Sequence, residues 1–137
     1  MLKSALSYIE DKVNEARGSA TENFKNKRSF QQRIDESTRI MEKYPERIPI
    51  IVCRSNQCKE VPDIDRHKYL VPRDLTMGQF MHVIRQRIKI EPHISIYLMV
   101  NGCTMPATSQ LIGMLYNENH DEDGFMYITY TGESTFG

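Results

Sequence analysis

The sequence contains few cysteines, and they follow no recognisable pattern. Cys53, Cys58 and Cys103 are an odd number of thiols at no metal-ligand spacing. Secreted domains that depend on disulfides carry an even set of cysteines, whereas scattered cysteines are typical of free thiols in a reducing compartment. The cysteine content therefore excludes a disulfide scaffold and predicts a cytosolic protein.

Long apolar segments are missing as well. No run approaches the roughly 18 residues of a membrane-spanning helix, and Glu10 and Asp11 lie where a secretory signal peptide would be uniformly apolar. A chain of 137 residues with 39% hydrophobic and 26% charged residues is large enough for one hydrophobic core. We therefore expect a single soluble domain without a secretion signal.

The sequence has no catalytic constellation either. It offers no nucleophile–base pair, metal cluster or phosphate-binding loop. Its four histidines are dispersed: His67, His82, His93 and His120. These absences predict a protein that is not an enzyme and that needs no metal or other cofactor.

Lysine and arginine are absent after residue 89, and acidic residues are absent from residues 23–33. All 18 lysines and arginines and 12 of the 18 acids precede residue 90, so residues 1–89 carry +6 and residues 90–137 carry −6. Residues 23–33 contain no acid but four basic residues: Lys25, Lys27, Arg28 and Arg33. This segment, which also holds two phenylalanines, is compatible with nucleic acid, an acidic protein or a tubulin-like surface as partner. Four charges do not separate these alternatives.

The first residues predict an N-terminal extension. Apolar residues recur at four- and three-residue steps: Leu2, Leu6, Ile9, Val13 and Ala16. This spacing predicts an amphipathic helix over residues 1–18, which Gly18 ends, and a small polar linker over residues 18–23. A mobile extension is the simpler interpretation, and a helix that docks on another surface is the alternative.

Residues 66–88 predict a peptide-binding groove. A β-rich run over residues 68–71 ends at Pro72, because proline has no N–H for a β-ladder. Thr76 and Gln79 then have capping-box spacing, and an apolar stripe predicts an amphipathic helix over residues 77–88. An edge strand beside such a helix can hold an extended peptide by strand addition. An ordinary strand and core helix without a binding role is the alternative.

The remaining elements complete an α+β pattern. Strands are predicted at residues 48–54, 94–100, 103–105 and 125–131, the third after a tight Asn101-Gly102 turn. Further helices are predicted from Phe30 to the residue before Pro45, and over 111–116 with Ser109 as the cap. One long helix that crosses a small mixed sheet predicts a ubiquitin-like β-grasp fold with one or two additional N-terminal helices.

Four segments resemble one known family. They are KYPERIPIIV (residues 43–52), KYLVPRDLTMGQF (68–80), IRQRI (84–88) and DEDGFMYITYTGESTFG (121–137). From about Phe30 to Gly137 the chain resembles the autophagy-related ubiquitin-like modifiers, the family of microtubule-associated protein light chain 3 and GABA-receptor-associated protein. The DEDGF run is more similar to the light-chain branch.

The resemblance implies a groove for aromatic-x-x-aliphatic motifs of autophagy receptors and adaptors. Its aromatic pocket corresponds to Glu36, Ile40, Pro49, Ile51, Lys68, Leu70 and Phe125. Its aliphatic pocket corresponds to Tyr69, Val71, Pro72, Leu75, Phe80 and Val83. Acidic residues that flank the motif would contact Arg47, Arg66, Lys68 and Arg87. Strand alternation places Lys68 and Leu70 on one face, with Tyr69 and Val71 on the other.

The resemblance also implies a reactive C-terminus. In the family, activating and conjugating enzymes join the C-terminal glycine, here Gly137, to phosphatidylethanolamine, and a processing cysteine protease removes any residues beyond it. The implied protein is cytoplasmic, lies on the autophagosome membrane when lipidated, and has no nucleic-acid partner, with microtubules as a further candidate. The alternative is a non-conjugated peptide-binding or cytoskeleton-associated light chain.

These expectations divide the chain into three parts. Residues 1–23 are the extension, residues 24–133 are a ubiquitin-like domain with an N-terminal helical subdomain, and residues 134–137 are a flexible conjugation tail.

Overall fold

The secondary structure is that of an α+β protein. The computed structural model describes residues 7–8, 20–56, 58, 60–102 and 104–132, with side chains from Phe24 onward. The helices are α1 (Ala20–Lys27), α2 (Phe30–Lys43), α3 (Met77–Ile88) and α4 (Ile112–Asn119). The strands are β1 (Ser7–Tyr8), β2 (Arg47–Arg54), β3 (Lys68–Pro72), β4 (Ile96–Val100) and β5 (Met126–Gly132).

The strands form one mixed sheet in the order β1–β3–β2–β5–β4. The pair β2–β5 is parallel and the other neighbouring pairs are antiparallel. β2 is buried from Ile48 to Cys53, as expected for a continuous apolar strand inside a sheet. The main hydrophobic core lies between the sheet and α3, so the predicted α+β arrangement is confirmed.

Two predictions for the N-terminal region are wrong. The helix predicted over residues 1–18 is contradicted at Ser7 and Tyr8, which are extended and pair with β3; the rest of that prediction lies outside the described residues. The linker predicted over residues 18–23 is contradicted by α1, which begins at Ala20. Apolar spacing failed as a guide because the backbone groups at the edge of a sheet attract an extended partner whatever its side-chain period.

The prediction for α3 is confirmed. Thr76 Oγ1 accepts a hydrogen bond from the Gln79 N–H at 3.1 Å, and Gln79 Oε1 accepts one from the Thr76 N–H at 2.9 Å. Both halves of the capping box therefore form. The apolar stripe of α3 is buried in the main core except at Met81, which is partly buried.

α2 begins with a capping box that the sequence analysis overlooked. Ser29 Oγ accepts from the Gln32 N–H at 3.1 Å, and Gln32 Oε1 accepts from the Ser29 N–H at 2.8 Å. The helix ends at Lys43, as the proline at position 45 predicted. α2 is the longest helix of the described ranges at 14 residues, and no helix there has the length and hydropathy of a membrane span.

The turn after β4 is confirmed. Asn101 and Gly102 have positive φ angles of 56° and 74°. Val100 and Thr104 exchange backbone hydrogen bonds of 2.7 and 3.1 Å across the turn, which closes a tight hairpin. The predicted return strand is observed as an isolated bridge at Thr104.

The predicted cap of α4 is wrong. Leu111, not Ser109, precedes the helix, and its side chain makes no capping bond. The first N–H groups of α4 instead donate to backbone carbonyls: Ile112 to Leu75 at 2.8 Å and Gly113 to Arg73 at 2.9 Å. The segment between β3 and α3 therefore supplies the acceptors that a cap would otherwise provide.

α2 is fixed to the segment before β5 through Ser37. Ser37 Oγ donates to the Asp123 carbonyl at 2.6 Å, and Tyr116 OH donates to the Gly124 carbonyl at 2.6 Å. Gly124 has a φ of 91°, and a Cβ there would overlap Ser37 Oγ. Position 124 therefore requires glycine both for its backbone conformation and for the close approach of α2.

We expect Gly124→Ala to lower the free energy of unfolding by about 3 kcal/mol, because strain and overlap add. Gly102→Ala is the matched control: its φ is also positive, but a Cβ there meets nothing within 4 Å, so about 1 kcal/mol of strain is expected. Urea unfolding followed by circular dichroism measures both costs. Combining Gly124→Ala with Ser37→Ala should give less than the summed cost. Equal costs for the two glycine variants would contradict the close approach.

Candidate functional site

The register of β2 and β3 determines which backbone groups β3 directs outward. The Val52 N–H donates to the His67 carbonyl at 2.8 Å, and Pro49 lies opposite Leu70. Hydrogen-bonded and non-hydrogen-bonded pairs alternate in an antiparallel ladder, so Pro49–Leu70, three positions along, is a non-hydrogen-bonded pair. The N–H and C=O groups of Leu70 and Lys68 therefore point away from β2. We call these groups the outer edge of β3.

The outer edge is engaged within the molecule. Arg47 Nη1 donates to the Leu70 carbonyl at 3.4 Å, and Ser7 and Tyr8 of β1 pair with Leu70 and Tyr69. The prediction that β3 is itself an unpaired edge strand is therefore wrong, because β1 lies outside it along two of its five residues.

Four of the seven residues predicted for the aromatic pocket lie together in a small apolar cluster apart from the main core. We call it the aromatic cluster, and its members are Phe24, Ile40, Ile51, Leu70, Phe125 and Tyr127. Each is at most 8% exposed. The cluster combines residues of α1, α2, β2, β3 and the β5 region, so it forms where the two front helices meet the sheet.

Phe24 and Tyr127 were missed by the sequence analysis. The Phe24 ring packs edge-on against Phe125, with centroids 5.1 Å apart at 79°, and the cations of Arg28 and Lys68 lie 4.6 and 5.3 Å from its centroid. Phe24 was interpreted only as part of a basic segment. Strand alternation offered a signal for Tyr127, which follows Phe125 by two residues and so faces the same way.

Lys68 and Glu36 form an ion pair beside the aromatic cluster. Lys68 Nζ lies 2.9 Å from Glu36 Oε2, and the side chains are 7% and 18% exposed. Arg28 Nε approaches the other carboxylate oxygen at 3.9 Å. Pro49, the remaining predicted pocket residue, is buried opposite Leu70. A carboxylate on a partner would have to compete with Glu36 for Lys68.

Five of the six residues predicted for the aliphatic pocket lie in the main core, each at most 6% exposed. They are Tyr69, Val71, Leu75, Phe80 and Val83. The rings of Tyr69 and Phe80 meet edge to face with centroids 5.7 Å apart, and Pro72 is half-buried. The predicted alternation is confirmed, because Leu70 belongs to the aromatic cluster and its two neighbours belong to the main core.

The residues predicted to contact acidic flanks have internal partners. Arg87 binds Asp65 through two hydrogen bonds of 3.0 Å each, a bidentate geometry that the sequence analysis did not anticipate. Arg66 is half-buried. His67, which lies among them in the sequence, is buried and its Nδ1 donates to the Val52 carbonyl at 2.8 Å. These side chains therefore form a pre-ordered polar border rather than a set of mobile charges.

A buried carboxylate, Asp123, joins the front helices to β5. Its Oδ1 accepts from the Phe125 N–H at 2.9 Å, and its Oδ2 accepts from Tyr127 OH at 2.6 Å. Arg33 Nε of α2 lies 3.4 Å from Oδ2. The exposure of Asp123 is 0% and that of Arg33 is 9%. Asp123 is therefore both hydrogen-bonded and charge-paired, as a buried carboxylate requires, whereas Arg33 Nε and Nη1 are buried without a hydrogen-bond partner among the described residues.

The neighbouring carboxylates respond differently to this environment. Burial raises the pKa of Asp123, although the bonds from Tyr127 and Phe125 oppose the shift. Burial and the bond to Asp123 raise the pKa of Tyr127. Burial also acts to raise the pKa of Asp121, but the Asp123 N–H and the Lys25 ammonium, 3.1 Å away, hold it below its ordinary value.

A mixed sheet crossed by one long helix, with two further helices packed at its front, defines a ubiquitin-like protein. The family model "Autophagy protein Atg8 ubiquitin like" matches residues 32–137. Autophagy-related protein 8 of Mycosarcoma maydis is 51% identical over 114 residues, which are 83% of this chain and 95% of the relative. The chain belongs to the Atg8 family, ubiquitin-like proteins of autophagy.

Two further comparisons agree with this assignment. Autophagy-related protein 8a of Arabidopsis thaliana is 51% identical over 118 residues, 86% of this chain and 95% of the relative. The crystal structure of Trypanosoma brucei ATG8 superposes with a TM-score of 0.76 at 36% identity, covering 83% of this chain and 97% of that one. The ubiquitin-like fold predicted from the sequence is thus confirmed.

We expect Tyr127→Phe to lower the free energy of unfolding by about 1–3 kcal/mol at pH 7, because a buried carboxylate loses a donor. The pKa of Asp123 is higher in the folded state than its ordinary value of 3.8, which applies to the unfolded chain. Between the unfolded-state pKa and the folded-state pKa, the folded protein binds more protons than the unfolded chain, so its stability falls as pH rises. Removing the donor raises the folded-state pKa further, and the cost should therefore be larger at pH 7 than at pH 4.

Urea unfolding at both pH values measures this dependence. Tyr44→Phe is the matched control, since Tyr44 is exposed and loss of its hydroxyl should change stability by less than about 0.5 kcal/mol. A cost of Tyr127→Phe that is equal at both pH values, or larger at pH 4, would show that the hydroxyl does not support the ionised carboxylate.

Proposed function

We propose that this chain is a ubiquitin-like modifier joined through Gly137 to phosphatidylethanolamine, and that the outer edge of β3 binds aromatic-x-x-aliphatic motifs of autophagy receptors and adaptors. Gly137 lies outside the described residues, and its role is supported by membership of the Atg8 family and by the resemblance of the sequence around it. The binding role is carried by one observation: the outward backbone groups of Leu70 lie beside the aromatic cluster.

Strand geometry accounts for the spacing of the motif. A peptide that adds to β3 is extended, so its side chains alternate between the two faces of the sheet. Residues three apart then point to opposite faces. The aromatic cluster lies on the face of Leu70, and the main core with α3 lies on the face of Tyr69 and Val71. An aromatic and an aliphatic residue in this spacing are therefore directed to the two apolar regions separately.

Charge supports a preference for acidic flanks. Lys68 lies at the border of the aromatic cluster, and Arg47 reaches the outer edge itself. Positive groups around a binding edge raise the rate of encounter with an acidic peptide more than they raise its affinity. The proposed modifier is cytoplasmic, is handled by activating, conjugating and processing enzymes, and moves to the autophagosome membrane on lipidation.

We expect Lys68→Gln to weaken binding of an acidic Trp-x-x-Leu peptide about fivefold to tenfold and to reduce the salt dependence of the association rate. Lys89→Gln is the matched control, because it removes the same charge at an exposed position at the end of α3. Fluorescence anisotropy and stopped-flow association at several salt concentrations measure both effects. Equal affinity of the two variants would argue against binding at this edge.

We expect Gly137→Ala to abolish conjugation, since glycine is the residue without a Cβ that can thread a narrow enzyme channel. The chain is incubated with the family's activating and conjugating enzymes, ATP and phosphatidylethanolamine liposomes, and the product is followed by gel shift. Ser134→Ala, a tail substitution that keeps the terminal glycine, should react like the unmodified chain. If the unmodified chain gives no product while the peptide still binds, the protein is a non-conjugated binding module.

A further inference from the structure

We infer that this molecule closes its own peptide-binding edge, with Ser7–Tyr8 on the backbone groups of β3 and Phe24 inside the aromatic cluster, so that a ligand binds only after displacing its N-terminal region. The inference rests on the proposed function of the outer edge. It commits to one occupant, the N-terminal segment of the same chain.

The backbone part of the closure follows from the register. Ser7 lies opposite Leu70, and Tyr8 lies opposite Tyr69, in antiparallel pairing. Because the N–H and C=O of Leu70 point away from β2, Ser7–Leu70 is the hydrogen-bonded pair and Tyr8–Tyr69 is the non-hydrogen-bonded pair. A ligand strand added to β3 would need the same groups of Leu70. β1 and the ligand therefore exclude each other.

The side-chain part of the closure is Phe24. Its exposure is 5%, and it packs in the aromatic cluster with Leu70 and Phe125, two of the residues predicted to receive a ligand's aromatic side chain. The Lys68 ammonium lies 5.3 Å from its ring centroid. Every member of the cluster is at most 8% exposed, so a ligand's aromatic ring can enter only if a member moves, and Phe24 is the member carried by α1. Both parts of the closure thus come from residues that precede α2.

Self-closure lowers the apparent affinity for a ligand. The observed dissociation constant is the intrinsic constant divided by the fraction of molecules whose edge is open. A substitution that opens the edge should therefore strengthen ligand binding although it contacts no ligand. This effect is opposite to that of removing a binding residue.

A pair of proline substitutions tests the closure. Ser7→Pro removes the N–H that donates to Leu70, whereas Tyr8→Pro removes an N–H that points away from β3, a position where an edge strand tolerates proline. In the full chain without ligand, we expect the Leu70 amide to exchange with deuterium about tenfold faster in Ser7→Pro, and within about twofold of the unmodified rate in Tyr8→Pro. Measurements at two protein concentrations should agree, because the pairing is intramolecular.

The same proteins are titrated into a labelled acidic Trp-x-x-Leu peptide. We expect Ser7→Pro to bind about threefold to tenfold more tightly than the unmodified chain, and Tyr8→Pro to bind within about twofold of it. Circular dichroism verifies that all three proteins are folded.

Each outcome separates the closure from the proposed function. Equal exchange of the Leu70 amide in the unmodified chain and Ser7→Pro overturns the closure whatever the peptide does. Protection that rises with protein concentration assigns the pairing to a second copy and also overturns it. Different exchange with equal peptide affinity overturns the competition. The expected exchange pattern without binding by any of the three proteins supports the closure and refutes the peptide-binding function.

Discussion

The front half of the molecule depends on the burial of one carboxylate. Asp123 is fully buried and joins α2 to β5 through Arg33 and Tyr127. A buried charge with a defined set of partners tolerates few alternative arrangements, because each broken contact leaves an unpaired polar group. The position of α2 places Ile40 in the aromatic cluster with Phe125, so α2 forms one side of that cluster. An interaction that includes no residue of β3 therefore shapes the surface beside the outer edge of β3.

Two prolines, in β2 and β3, constrain the pairing of these strands, and Leu70 of β3 forms another side of the aromatic cluster. Pro49 and Pro72 both lie in non-hydrogen-bonded pairs of β2 and β3, where no N–H is required between these strands. The parallel ladder with β5 begins at Ile50, one residue after Pro49, so the missing N–H is not required on that side either. A shift of β3 by one residue would turn this strand over, which would place Pro72 in a hydrogen-bonded pair and Leu70 on the opposite face. Pro72 thus favours the register that directs Leu70 outward.

Much of the fold could be predicted because its signals are local. Thr76 and Gln79 define the start of α3 by their own spacing, and the turn at Asn101-Gly102 depends on the conformations of those two residues. The start of α4 could not be predicted, because its first N–H groups find their acceptors in the segment that precedes α3. β1 gave no signal for the same reason: two paired residues have no side-chain period, and their partners, Leu70 and Tyr69, lie more than sixty positions further along the chain.

In the candidate site too, features that depend on local signals could be predicted, and contacts between distant segments could not. Strand alternation was sufficient to assign Leu70 to one face and Tyr69 to the other. The contact of Phe24 with the aromatic cluster, and that of Arg87 with Asp65, join segments distant in sequence. Neither composition nor spacing contains such contacts, whereas the arrangement of α1 and β3 around a common sheet produces them directly.

The two parts of the closed edge differ in strength. A net hydrogen bond contributes about 0.5–1.5 kcal/mol, so a two-residue strand contributes little beside the roughly 5–15 kcal/mol that stabilise a domain. β1 can therefore separate from β3 without loss of the fold. Burial of a phenylalanine contributes about 1.5–3 kcal/mol, and Phe24 also contacts Phe125 and the cation of Arg28. The backbone groups of Leu70 thus become accessible at a lower cost than the aromatic cluster, so for the proposed ligand, exchange with β1 would be the easier first step.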